Sequence, residues 1–216
     1  MLGFVEEIVL LQLDDTHGRF IELPASAADV VLAGAALMEL ALRNQVDTDL
    51  ERLFVVDPTP TGDAILDDVL GHLVDSAVGL STGAAIERIS ANAEKYQQKA
   101  LQHLIAKGIL READGRFLWV FHTRRYPVVD DREQREVKAR LRQIVLSDEI
   151  PEPRDVALIG LIDACDLLDL LLTPDEIRET AERVEQLAMM DLIGQAVMHA
   201  VAEIRFIVKH ASPPIY

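Results

Sequence analysis

An all-α fold is what this sequence predicts, and three features carry the expectation. The stretch Ala27 to Arg43, AADVVLAGAALMELALR, is apolar on nearly every face of a helix, and such a helix cannot lie half in water, so it belongs inside a core or a membrane. Its uninterrupted apolar part is shorter than the roughly 20 residues that cross a bilayer, and Glu39 interrupts it, which favours the core. Hydrophobic residues make up 50% of the chain while aromatics make up only 5%, a balance suited to helices packed through Leu, Val, Ile and Ala. Finally, apolar residues recur at helical spacing over most of the remaining chain. The 216 residues suit one large domain covering 1–216.

In chain order, Leu2, Val5, Ile8, Val9 and Leu10 or Leu13 follow helical spacing, with Asp14, Asp15 and Gly18 as the stop, which predicts a first helix over 3–12. A short extended piece, 19–23, ends at Pro24. The inner helix follows, flanked by Asp29 near its start and by Asn44 at its exit, with Gly34 and its neighbouring alanines allowing close helix approach. Leu53 to Val56 reads as a short strand closed by Asp57-Pro58, and Pro58 to Asp63 as a rigid connector. Thr61 or Asp63 caps a helix whose apolar face is Ile65, Leu66, Val69, Leu70 and Leu73. Gly79 to Gly83 breaks the chain before helices near 84–90 and 92–107, the second closed by Gly108. Beyond residue 129, helices are expected over 130–146, 156–172, from the Thr173-Pro174 cap to about 190, and from 193 to 209.

Ile109 to Phe121 predicts a β-hairpin turning at Asp114-Gly115. Alternation places Phe117, Trp119 and Phe121 on one face and Leu118 and Val120 on the other, so both faces are apolar. Such a strand needs cover from its own chain or from a partner. Arg116, Arg124 and Arg125 flank it, and a second copy of this acidic chain would supply carboxylates for them. Helix, helix and hairpin also describe a winged helix. However, residues 111–142 hold nine basic against six acidic residues, and the preceding helix lacks an Arg-rich face.

The formal charge of −16 argues against a nucleic-acid partner bound through phosphate attraction. Cys165 stands alone in an apolar run, so no disulfide framework exists and the residue reads as a small buried hydrophobe. The amino terminus has no basic leader and carries Glu6 and Glu7 within its apolar pattern, the expectation being a cytoplasmic protein. Asp57, Asp63, Asp67 and Asp68 lack the spacing of a calcium loop. Asp163, Asp166 and Asp169 recur every three residues on the expected helix 156–172, where a solvated face explains them. The six histidines make no HxxxH pair, and phosphate loops, nucleophile elbows and CxxC motifs are missing. Neither catalytic nor metal-ligating residues nor a cofactor are expected.

Four collinear segments carry a family resemblance: EEIVLLQLDD at 6–15, AGAALMELALR at 33–43, PTGDAILDDVL at 60–70 and LIAKGILREADGRFLWVF at 104–121. Together they resemble the Golgi phosphoprotein 3 (GPP34) family over nearly the whole chain. The resemblance implies a single-domain helical bundle with an apolar inner helix, surrounding amphipathic helices and a protruding β-hairpin that takes part in oligomer contacts. It further implies a non-enzymatic peripheral membrane adaptor that binds phosphatidylinositol 4-phosphate, with a lipid headgroup, a cytosolic protein tail and further copies of itself as partners.

The departures are specific. Where the family's headgroup pocket has a tryptophan, an arginine and two further basic residues, ungapped alignment places Pro24, Ala33, Glu94 and Gln97. Each charge-assisted hydrogen bond to a phosphomonoester that these residues fail to make forfeits roughly 1.5–3 kcal/mol, and Glu94 adds repulsion. Weak or absent binding of that lipid is therefore expected, with no lipid-binding residue assigned, and the short acidic form resembles the family's bacterial members. A soluble, self-associating scaffold for a cytosolic protein is the alternative reading; a winged-helix DNA binder ranks third.

Overall fold

The computed structural model describes residues 2–14, 18–21, 23, 25–49, 52–74, 79–112, 126–190, 195 and 199–201. Helix α1 (Phe4–Leu11) is buried along its whole length, its two glutamates included. Helix α2 (Ala25–Leu42) is the inner helix: Val31, Ala33, Ala35, Ala36, Leu37 and Leu40 are solvent-free. It stops where Asn44 enters the left-handed region at φ 57° and the Gln45 N–H reaches back to the Leu40 carbonyl.

Three short strands follow in antiparallel order β1-β2-β3: β1 (Val46–Thr48), β2 (Arg52–Val55) and β3 (Leu80–Ser81). Val46 pairs with Val55 and Leu53 with Leu80. Only β2 was expected. β1 carries two polar residues in three, and β3 sits inside the predicted chain break, so neither shows an apolar pattern of its own.

Helices α3 (Ala64–Val74), α4 (Thr82–Ser90) and α5 (Ala93–Ala106) pack on α2 together with α1 and α7. The Ser81 side chain accepts the Ala84 N–H to start α4, and Gly108, at φ 75°, ends α5. Helix α6 (Arg132–Leu146) points Val137, Leu141, Ile144 and Val145 inward, as expected, and joins the body through α1 and α8. Helix α7 (Pro153–Ala164) leads through a 3-10 turn at Leu168–Leu170 to α8 (Pro174–Ala188), which packs on α7. The buried apolar side chains of these elements, Cys165 among them, form one contiguous cluster. The fold is mostly helical, as the sequence predicts, and carries a small antiparallel sheet of which only β2 was expected.

One expected element is corrected. The apolar run 156–172 is not one helix, because Asp166 adopts φ 60°, a conformation that a short polar side chain tolerates. The Leu167 N–H then closes on the Ile162 carbonyl. Asp163, Asp166 and Asp169 consequently lie on α7, on a turn and in the 3-10 segment, and do not share a helix face. The last expected helix falls largely outside the described residues; Gln195 and His199 to Val201 are helical.

Candidate functional site

The four headgroup positions map onto the packed pair α2 and α5. Pro24 lies outside the described residues. Ala33 has no solvent exposure, so an arginine there would have to force α2 away from its neighbours. Glu94, in the first turn of α5, is exposed, and Gln97 is half-buried. Asp29, also exposed, stands one turn before Ala33 on α2. Partial burial, and then the Glu94 carboxylate facing it, push the Asp29 carboxyl above its ordinary value. The site therefore presents the carboxylates of Asp29 and Glu94 where a phosphate reader needs cations. Sequence reading noted Asp29 as a helix-end acid but had no means of placing it opposite Glu94.

The aspartates of segment 60–70 are occupied by the fold. Asp63 Oδ1 accepts the N–H groups of Ile65 at 2.7 Å and Leu66 at 3.1 Å, capping α3. Asp67 Oδ1 accepts from the Thr61 N–H at 2.6 Å and the Thr61 hydroxyl at 2.7 Å. Burial raises the Asp67 carboxyl, yet these bonds outweigh it and hold the group below its ordinary value. Asp68 takes the Lys95 ammonium at 2.7 Å. Beside it lies the fully buried Tyr96 phenol, driven upward by burial and by that carboxylate.

A second ionic cluster surrounds the start of α1. Glu7, 1% exposed, meets Arg140 of α6 at 2.9 Å and Arg154 of α7 at 3.3 Å, and Arg140 also holds Asp155 at 2.9 Å. Burial pushes the Glu7 carboxyl above its ordinary value against the pull of both arginines. Glu6 pairs with Lys107 at 2.7 Å. Glu39 of α2 accepts the Phe4 N–H at 2.7 Å and pairs with Arg43, while the Arg154 guanidinium sits 4.1 Å above the Phe4 ring. The sequence signal for this cluster was the presence of Glu6, Glu7 and Glu39 within apolar patterns.

The pairing expected of the hairpin is corrected: Ile109 to Arg111 pair with Pro127 to Val129, and not with 117–121 across a turn at Asp114-Gly115. Leu110 and Val128 form an antiparallel bridge, the Arg111 N–H donates to the Pro127 carbonyl at 3.1 Å, and the Val129 N–H donates to the Ile109 carbonyl at 2.9 Å. Phe117, Trp119, Phe121, Arg116, Arg124 and Arg125 lie outside the described residues. Among the described residues no group of three or more His, Cys, Asp or Glu side chains could hold a metal ion, and no helix is long and apolar enough to cross a membrane.

Comparison with known proteins adds two findings. The profile of a family described as Golgi phosphoprotein 3 (GPP34) matches residues 4–204. The vacuolar protein sorting-associated protein 74 of Eremothecium gossypii is 28% identical over 177 residues, which are 73% of this chain and 51% of that protein. The chain thus spans about half the length of this curated relative.

Proposed function

This chain belongs to the Golgi phosphoprotein 3 (GPP34) family, and on that premise we propose that it is a non-enzymatic, cytoplasmic adaptor that works peripherally at a membrane and engages a cytosolic protein tail. One buried apolar cluster running from Leu2 to Val201 supports treating 1–216 as one GPP34-like domain. Within this reading, affinity for phosphatidylinositol 4-phosphate is weak or lost. The observation that carries the loss is the acidic pair Asp29 and Glu94, with solvent-free Ala33 beside it. A phosphomonoester brought there meets like charge instead of the donors that would offset its desolvation.

The second reading, a soluble scaffold, is favoured by the paired stem at Leu110 and Val128. The stem closes the segment that holds Phe117, Trp119 and Phe121, proposed as the contact with a second copy, with Arg116, Arg124 and Arg125 setting its register. Aromatic side chains of this kind bury on the order of 150–250 Å² each, and apolar burial contributes roughly 25 cal/mol per Å².

One set of proteins tests both readings. In vesicle flotation at physiological salt, the wild type should bind vesicles containing phosphatidylinositol 4-phosphate no better than neutral vesicles. The triple variant Asp29→Asn, Glu94→Arg, Gln97→Arg should gain at least about tenfold on the former. Equal, lipid-dependent binding by both proteins would refute the loss. In sedimentation velocity, Trp119→Ala should shift the protein toward monomer, and a wild type that is already monomeric at high concentration would eliminate the hairpin contact.

A further inference from the structure

Helix α6 ends at Leu146, and the chain that leads from it to α7 is extended at both ends: Ser147 stands at φ −123°, ψ 168° and Glu152 at φ −66°, ψ 147°. Pro151 fixes its own φ and biases Ile150 before it toward extended geometry. Pro153, at the first turn of α7, acts in the same way on Glu152. On this loop Ile150 is 91% exposed, well above Met189 at 66%, the next among the described large apolar side chains. Leu146, where the loop begins, is exposed as well.

A single apolar side chain in water is common on protein surfaces and means little by itself. Ile150 differs because the fold holds it out. The Arg183 guanidinium of α8 donates to the Glu149 carbonyl at 2.6 Å, and the Gln143 amide of α6 donates to the Glu149 carboxylate at 3.3 Å. The Glu149 N–H donates to the Ser147 hydroxyl at 3.3 Å. Beyond the prolines, Arg154 is fixed by the Leu2 carbonyl at 2.7 Å and by Glu7. With anchors at 149 and 154 and two prolines between them, the loop has little freedom to fold Ile150 back onto the body. A segment ordered in advance also loses little entropy when it binds. The backbones of Asp148 and Ile150 hold no hydrogen bond among the described residues, so their polar groups are open to a partner.

The surroundings of Ile150 select that partner. Asp148, Glu149 and Glu152 are all exposed within two residues of it. The nearest basic residue along the chain, Arg154, is engaged by Glu7 and Leu2. An anionic bilayer repels such a loop. The described cavities of a second copy fit it poorly: the one where α7 ends against α8 is rimmed by Asp163 and Glu185, and the one beside β2 sets Asp49 against its cation Arg52. We infer that the loop 147–152 docks a folded protein partner, with Ile150 entering an apolar pocket whose rim is basic. Ile150 is the anchor, and the three carboxylates steer the encounter and fix its register. The loop shares no residue with the headgroup positions or with segment 113–125, so it stands independently of both readings above.

A photo-crosslinking amino acid placed at 150 of the full chain, activated in the native cell, identifies what covers the position. The captured protein is then purified and titrated by calorimetry with the wild type, with Ile150→Ser and with the triple variant Asp148→Asn, Glu149→Gln, Glu152→Gln. All four side chains are exposed, so both variants should keep the wild-type urea midpoint. Ile150→Ser should bind at least about tenfold more weakly. The triple variant should bind more weakly than the wild type at low salt and converge with it at high salt. Crosslinking to a second copy, to lipid or to nothing overturns the inference, as does a captured protein that binds Ile150→Ser as tightly as the wild type. Equal binding of the triple variant at low salt overturns the basic rim.

Discussion

Glu7 and Asp155 are buried carboxylates that share one guanidinium. Arg140 reaches both, at 2.9 Å each, while its own side chain keeps 31% exposure. Removing a shared cation leaves two charges in a poorly solvated place, which costs more than the pair contributes over an apolar substitute. Arg140→Ala should therefore lower unfolding stability by about 3 kcal/mol, measured by urea denaturation. Arg140→Lys should fall between, because an ammonium cannot reproduce the two-pronged geometry. A loss under about 1 kcal/mol would mean that Arg154 alone compensates Glu7. That Glu7 faces inward was legible from its place in an apolar helical pattern. Its partner was not, since Arg140 lies 133 residues further along the chain and no local spacing couples the two.

Helix ends divide in the same way. The start of α8 was readable in Thr173-Pro174-Asp175-Glu176, and the structure has the full reciprocal box: the Thr173 hydroxyl accepts the Glu176 N–H at 3.4 Å, and the Glu176 carboxylate accepts the Thr173 N–H at 2.9 Å. Thr173→Ala should cost about 1 kcal/mol in urea denaturation and leave vesicle binding and self-association unchanged. The end of α7 was unreadable because Leu167, Leu168, Leu171 and Leu172 are all buried. A run that stays in the core keeps its hydrophobicity through a turn, and periodicity then cannot distinguish helix from helix plus 3-10 segment. Strands β1 and β3 escaped notice for a related reason, since strands this short carry too little pattern and take their geometry from β2 between them.

Acid acts on the molecule through groups of opposite sign. Hydrogen bonds from Arg142, then from Thr173, hold Glu176 at about 2, below its ordinary 4.5. The stability it contributes is complete above about pH 4.5 and is lost as pH falls toward 2. Asp130, held at about 2 by Arg132, has the same sign. Glu7, raised mainly by burial, has the other: folding favours its protonated form, so its contribution is present below its ordinary value and lost as pH rises through the folded one. Depressed carboxylates outnumber raised ones among the described groups, so the protein should lose stability on acidification below about pH 4.5. Urea midpoints followed from neutral pH to pH 2 should show Glu176→Gln destabilised at neutrality and converging on the wild type at the acid end. A constant gap across that range would show that the ion pair with Arg142 does not depress Glu176.

By itself the sequence determined the helical class, the inner helix, the capped starts of α3 and α8, and a family frame from four collinear segments. Each of these is written in residues close together in the chain, where propensity, periodicity and capping act. Only the tertiary structure decided that Asp29 faces Glu94, that one arginine serves Glu7 and Asp155, and that Ile150 stands in water on a pinned loop. These depend on which distant surfaces the core brings into contact and which it leaves uncovered, and burial is what converts such a meeting into energy, through desolvation of the carboxylates.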